Sequence, residues 1–185
     1  TVTQFQYRSP IDREFLSKTL KTLEKKGAKA IGLDVIIDQP TEIFKDNLLK
    51  KTVDELKTPL FISYSITPSI VNEDQLEYLN RFVPEKMRAT ANMATDPFDG
   101  SVRWIYPGEA SADEPKGFAR KGLELVGKET SKRLVEIAWR AKPDMETPPF
   151  PIYPANTLGL LPDIWFKDKI VLIGAVLSIT DRHKT

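Results

Sequence analysis

Apolar positions along this chain fall into two spacings, one that suits the face of a helix and one that suits a buried strand. Ile11, Phe15, Leu16, Leu20 and Leu23 recur at three- and four-residue intervals, with Lys18, Lys21, Lys25 and Lys26 mostly off that face. This predicts an amphipathic first helix. Ser9 is its expected N-cap, Pro10 suits the first helical position, and Asp12 stands three residues after the cap. Gly27 is the expected stop. The apolar run over residues 28–37 then predicts a strand. Helix, glycine and strand make half of a βαβ unit, so a parallel strand is expected in the first few residues or ahead of them. Residues 1–7 are too short to assign.

Leu48, Leu49, Val53 and Leu56 predict a second amphipathic helix over 45–57, followed by a strand over 60–64 and a short helix over 72–82. Segments 89–93 and 101–106 read as paired strands flanking Asp96-Pro97-Phe98-Asp99-Gly100, because Asp-Gly favours a hairpin turn. Residues 118–126 and 131–141 read as further helices. The proline-rich stretch 142–154 must be loop or edge strand, and 169–175 is the last strand. Helices alternating with apolar strands predict one α/β domain: a mostly parallel central sheet flanked by helices, with an antiparallel hairpin at one edge.

Composition narrows the function classes. A chain of 185 residues suits one domain with a substantial core. The 27 basic residues are balanced by 26 acidic ones, which argues against a general nucleic-acid binder. With no cysteine there are no disulfides, thiolate metal sites or cysteine nucleophiles, and the compartment stays open. A single histidine excludes a multi-histidine metal site. No run approaches the ~20 apolar residues that span a bilayer, and no signal peptide is visible. Any membrane anchor is therefore expected outside this chain, which reads as excised from a longer protein.

The candidate chemistry gathers at strand ends. Asp34 and Asp38 lie in and just after the first strand, and share a face by parity if that strand runs far enough. A carboxylate in such a run needs a partner: a cation, a group of backbone N–H donors or a metal. The alternative is that Asp34 caps a neighbouring element and Asp38 sits in a turn before Pro40. Asp181, Arg182, His183 and Lys184 follow the last strand, and meet the Asp34 end if the two strands are parallel neighbours. They form either a polar pocket for a small anion or signalling ligand, or a salt-bridge network. Open α/β sheets take ligands at this edge. Asp96, Asp99 and Arg103 read as turn chemistry with an ion pair, since a calcium site needs more oxygen ligands at tighter spacing. Dinucleotide, Walker and nucleophile-elbow motifs are absent. A triad of Ser178, His183 and Asp181 has no support.

Several segments together resemble the second type of CHASE domain, the cyclase/histidine-kinase-associated sensory extracellular domain. They are Ser9-Pro10-Ile11-Asp12-Arg13, Gly27-Ala28-Lys29-Ala30-Ile31-Gly32-Leu33-Asp34, Asp38-Gln39-Pro40-Thr41-Glu42 and Lys45-Asp46. Asp96-Pro97-Phe98-Asp99-Gly100 with Arg103, and Lys169-Ile170-Val171-Leu172-Ile173-Gly174 with Asp181-Arg182-His183, complete the set in the family's order. The resemblance implies an extracytoplasmic (periplasmic or extracellular) input module of a bacterial inner-membrane receptor. Outputs in such receptors include adenylate or guanylate cyclases, histidine kinases, serine/threonine kinases and diguanylate cyclases or phosphodiesterases.

The first hypothesis is thus a non-catalytic sensor without cofactor or metal, taking an unknown small-molecule or protein ligand near Asp34, Asp38, Asp181, Arg182 and His183. Its partners would be its own transmembrane helices, a cytoplasmic effector domain and a second copy in a homodimer. The second is a structural dimerisation module without a small ligand. The third is a soluble hydrolase or transferase using Asp34 or His183 as base.

Overall fold

Asp12, not Ser9, caps the first helix. Its carboxylate accepts the backbone N–H of Phe15 at 2.8 Å, and α1 runs over Arg13–Lys25. The computed structural model describes residues 10–175, so Ser9 lies outside it. Asp12 takes the cap because an aspartate oxygen reaches the third helical amide. Gly27 ends the turn as expected, with φ of 76° that a residue bearing Cβ rarely adopts.

The chain continues through β1 (Ala30–Asp34), α2 (Ile43–Glu55), β2 (Leu60–Tyr64), α3 (Glu73–Phe82) and β3 (Arg88–Thr90). Asn72 and Gln75 cap α3 reciprocally, each side chain taking the other residue's backbone amide at 2.9 Å. Then come β4 (Ala94–Thr95), β5 (Val102–Ile105), α4 (Phe118–Leu125), β6 (Val135–Glu136) and β7 (Ile170–Gly174). The central sheet is parallel throughout, in the order β3-β2-β1-β7. The α/β class with a mostly parallel sheet is as the sequence predicts.

Three assignments differ. β1 stops at Asp34 because its last pairing, with Gly174, falls there; Val35 to Ile37 leave the ladder, and Ile37 still buries in the core. Segment 89–93 does not supply the hairpin: β3 joins the central sheet, while β4 pairs with β5 in a separate antiparallel sheet, β4-β5-β6. Residues 131–141 are not helical. Leu134, Val135 and Trp139 find no core to face and stay exposed, and an isolated helix of that length is marginal. β6 instead pairs with β5 at Glu136–Trp104 and Val135–Ile105.

The sheet separates two helical layers. Ile31, Leu33, Leu60 and Ile62 pack with Leu16, Leu20 and Leu23 of α1, Leu49 and Val53 of α2, and Leu79 and Phe82 of α3. The alternate residues face α4. There the Phe61 ring lies 4.7 Å from the Phe118 ring, where a Cβ on either Gly32 or Gly122 would collide with it. Strand parity thus decides which side chains at a strand's end face which layer.

Candidate functional site

The carboxyl edge of the central sheet is where β1 and β2 deliver the chain to α2 and α3, and where α1 also begins. Three helix amino termini, with their unsatisfied N–H groups, open toward one rim. The polar side chains there fall into two groups, one for each face of the sheet.

The first group lies on the side of α1, α2 and α3. Arg13 begins α1 in line with Leu16, Leu20 and Leu23 and is only 1% exposed. Its Nη2 donates to the Gln39 carbonyl at 3.1 Å, its Nη1 to the Ile11 carbonyl at 3.4 Å, and its Nε stands 3.6 Å from Asp46 Oδ1. Burial pulls the guanidinium pKa down, and Asp46 offsets part of that. Asp46 is held in turn by the Thr41 amide at 2.8 Å and the Thr41 hydroxyl at 2.7 Å. Burial pushes the phenol of Tyr78 in α3 up to about 12, with the Asp46 carboxylate adding to it. Asp38 accepts from Gln75 Nε2 at 2.5 Å and contributes to the field at Arg13.

Lys45 ties α2 to α1, donating to Asp12 at 2.7 Å and to Glu42 at 3.0 Å. Those two bonds raise its pKa. Burial pushes the Asp12 carboxyl up, but the bonds from Lys45 and the Phe15 amide outweigh it and hold the group below its ordinary value. Beside Asp46 a groove of about 270 Å³ opens between α2 and α3, lined by Ile43, Asn47, Lys50, Tyr78, Arg81 and Phe82.

The second group lies on the α4 side. Asp34 ends β1 with its side chain exposed, and accepts from Ser63 Oγ at 2.6 Å. Gly174 of β7 is its register partner and sets no side chain against the carboxylate. Asp34 and Asp38 therefore do not share a strand face, since Asp38 lies beyond the strand and bonds toward α3. β1 and β7 are parallel neighbours, as the meeting of their ends requires. Asp181, Arg182, His183 and Ser178 lie outside the described residues. Among the described residues, no group of three or more His, Asp or Glu side chains is placed to hold a metal ion.

Sequence reasoning quoted Arg13, Lys45 and Asp46 only within the family resemblance and missed Tyr78. The signal was available: a charged residue at position 13 continues the buried stripe 16, 20, 23, so it must find a partner. The turn residues Asp96, Asp99 and Arg103 stand apart from this edge. Arg103 pairs with Asp96 at 2.9 Å and Asp99 at 2.6 Å, and Gly100 takes φ of 73° in the turn.

A family model for the CHASE2 domain matches residues 1–185, the whole chain. This chain belongs to the CHASE2 family. CHASE2 domains are extracellular sensory domains of cyclase- and kinase-type receptors, and sense rather than catalyse. No curated protein and no solved structure matches this CHASE2 chain. No helix among its described residues is long and apolar enough to cross a membrane.

Proposed function

We propose that this CHASE2 domain is the extracytoplasmic input module of a bacterial transmembrane receptor with a cyclase, histidine kinase or similar output. In this reading it takes a small-molecule or protein ligand at the carboxyl edge of its central sheet. The observation that carries the reading is Asp34: an exposed carboxylate at the end of a buried strand, in register with Gly174, which sets no side chain against it. Asp38, at the same rim but turned toward α3, is taken as the second contact, so the ligand would reach across the end of the sheet. Asp181, Arg182 and His183 are assigned to the same site because the strand preceding them neighbours β1. A ligand acts by favouring one of two conformations for which it has different affinity. The change passes to the membrane segments through the packing of two protomers.

A thermal-shift screen of the chain against small anionic and cationic metabolites tests this. A stabilising compound should lose its effect in Asp34→Ala, Asp38→Ala and Arg182→Ala; a compound whose shift survives all three rejects the pocket. A second reading, a dimerisation module without a ligand, is favoured by one observation. Lys45 with Asp12 and Glu42, and Arg13 with Asp46, form ion pairs across the rim. It predicts a dimer in sedimentation that no screened compound alters.

A further inference from the structure

The opposite, amino edge of the sheet carries a surface that signal reception at the carboxyl edge does not use. The chain closes this edge with two one- to two-turn 3₁₀ segments, Ala155–Leu160 and Asp163–Trp165, set against the end of α1. Leu158 and Phe166 complete the core there. Their neighbours do the reverse: Leu160 is 88% exposed, Ile164 69% and Trp165 45%. Tyr153, 37% exposed, stacks on Trp165 at 5.2 Å and lies 5.8 Å from Phe166. Packing the core needs only the buried half of these turns, and polar residues would serve the exposed half equally well. A cluster of large apolar side chains left in water marks an interaction surface.

Lysines surround it. Lys25 and Lys26 close α1, Lys29 leads into β1, Lys57 precedes β2, and Lys167 and Lys169 lead into β7. Backbone and side-chain bonds hold these segments together. Lys26 Nζ donates to the Leu161 carbonyl and to Asp163 Oδ1, both at 2.7 Å. The Asp168 amide donates to the Gly27 carbonyl at 2.9 Å, and the Lys29 amide to the Lys169 carbonyl at 2.8 Å. The Lys57 amide donates to Glu24 Oε1 at 2.6 Å. Asp163 pairs with Lys26, and Asp54 and Glu55 with Lys50 and Lys51 of their own helix, while Glu24 accepts backbone amides and the exposed Asp168 enters no ion pair among the described residues, so the free lysines outnumber the free carboxylates at this edge. Lys25, Lys29, Lys57, Lys167 and Lys169 are exposed and enter no ion pair among the described residues.

We propose that this amino edge docks on an anionic lipid surface. Tryptophan and tyrosine settle at the headgroup level of a bilayer. Leucine and isoleucine enter the acyl boundary, and lysine stems lie along the apolar surface while their charges reach phosphate. Charge decides between a bilayer and a second copy of the chain. A two-fold contact through this patch would set one lysine rim against another, whereas an anionic membrane complements it. The proposal is independent of any ligand at the carboxyl edge.

Flotation of the 185-residue chain with vesicles of phosphatidylethanolamine and phosphatidylglycerol, and with vesicles of phosphatidylcholine, is the test. Binding is expected to the anionic vesicles and to weaken with salt. In a Trp104→Phe/Trp139→Phe background, the remaining Trp165 emission should shift to the blue on binding. Leu160→Ser/Ile164→Ser and Lys167→Glu/Lys169→Glu alter exposed positions and should fold, as circular dichroism will show; each should bind about tenfold or more weakly. Failure to float with anionic vesicles overturns the proposal, as does binding that both variants leave unchanged. Self-association without vesicles, lost in Leu160→Ser/Ile164→Ser, would instead make the patch a contact between copies.

Discussion

Arg13 shows what a single buried charge demands. Its guanidinium is enclosed by α1, α2 and α3 and depends on Asp46 and two carbonyls. Removing one partner leaves the other charge without compensation, which costs about 3 kcal/mol or more for a buried pair. Arg13→Met and Asp46→Asn should each lower the unfolding free energy by about that amount in urea titrations. The double variant should recover part of the loss, and a double-mutant cycle measures how much. Glu124 supplies the pH dependence. The Lys116 ammonium at 2.5 Å and the Thr130 hydroxyl at 2.7 Å bring its carboxyl down from 4.5 to about 2. A depressed carboxyl contributes stability that is present above its unfolded pKa and lost as pH falls through its folded one. The chain should therefore lose stability between about pH 4.5 and about pH 2, and Glu124→Gln should lose less over the same window in urea titrations.

At the scale of elements, the contact between α4 and the sheet turns on two glycines. An alanine at an ordinary helix position gains about 1 kcal/mol over glycine. At Gly122 its Cβ would come within 2.7 Å of Phe61 Cζ, and that ring is already confined by Phe118 and by the close approach at Gly32. Overpacking of about 1–3 kcal/mol then outweighs the propensity gain. Gly122→Ala should destabilise in chemical denaturation, although a helix scale alone predicts the opposite. The sequence makes α1, β2, α3, α4 and β7 legible because each carries a periodic apolar stripe or a short buried run between clear stops. It misplaces β6 because Leu134, Val135 and Trp139 have helical spacing without a surface to cover; spacing reports a face, but only the tertiary structure says whether anything meets it. Asp34 and Asp38 would share a face only if the strand ran on to residue 38, and its end depends on where β7 stops pairing, at Gly174 opposite Asp34. Tyr78 stayed hidden because a tyrosine on a helix announces nothing until Asp46 arrives from another element.

Across the whole molecule, the small antiparallel sheet is joined to the central one through Glu114. This carboxylate is 7% exposed and accepts Asn92 Nδ2 at 2.7 Å, the Tyr106 hydroxyl at 2.9 Å and the Ala110 amide at 2.9 Å. Glu114→Ala strands those donors and should cost about 2 kcal/mol. Amide hydrogen exchange should speed up across β4 and β5 more than across β1 and β2. One further feature governs how this molecule comes into being. β1 is sandwiched between β2, its close successor, and β7, whose Ile170 pairs with Ala30 from far along the chain, and the Lys26–Leu161 tie spans 135 positions. A polypeptide emerging from the amino end keeps one flank of β1 bare until residues 170–174 have been made. Premature termination before residue 170 would leave that flank available for wrong partners, so the bare edge needs shielding until β7 arrives.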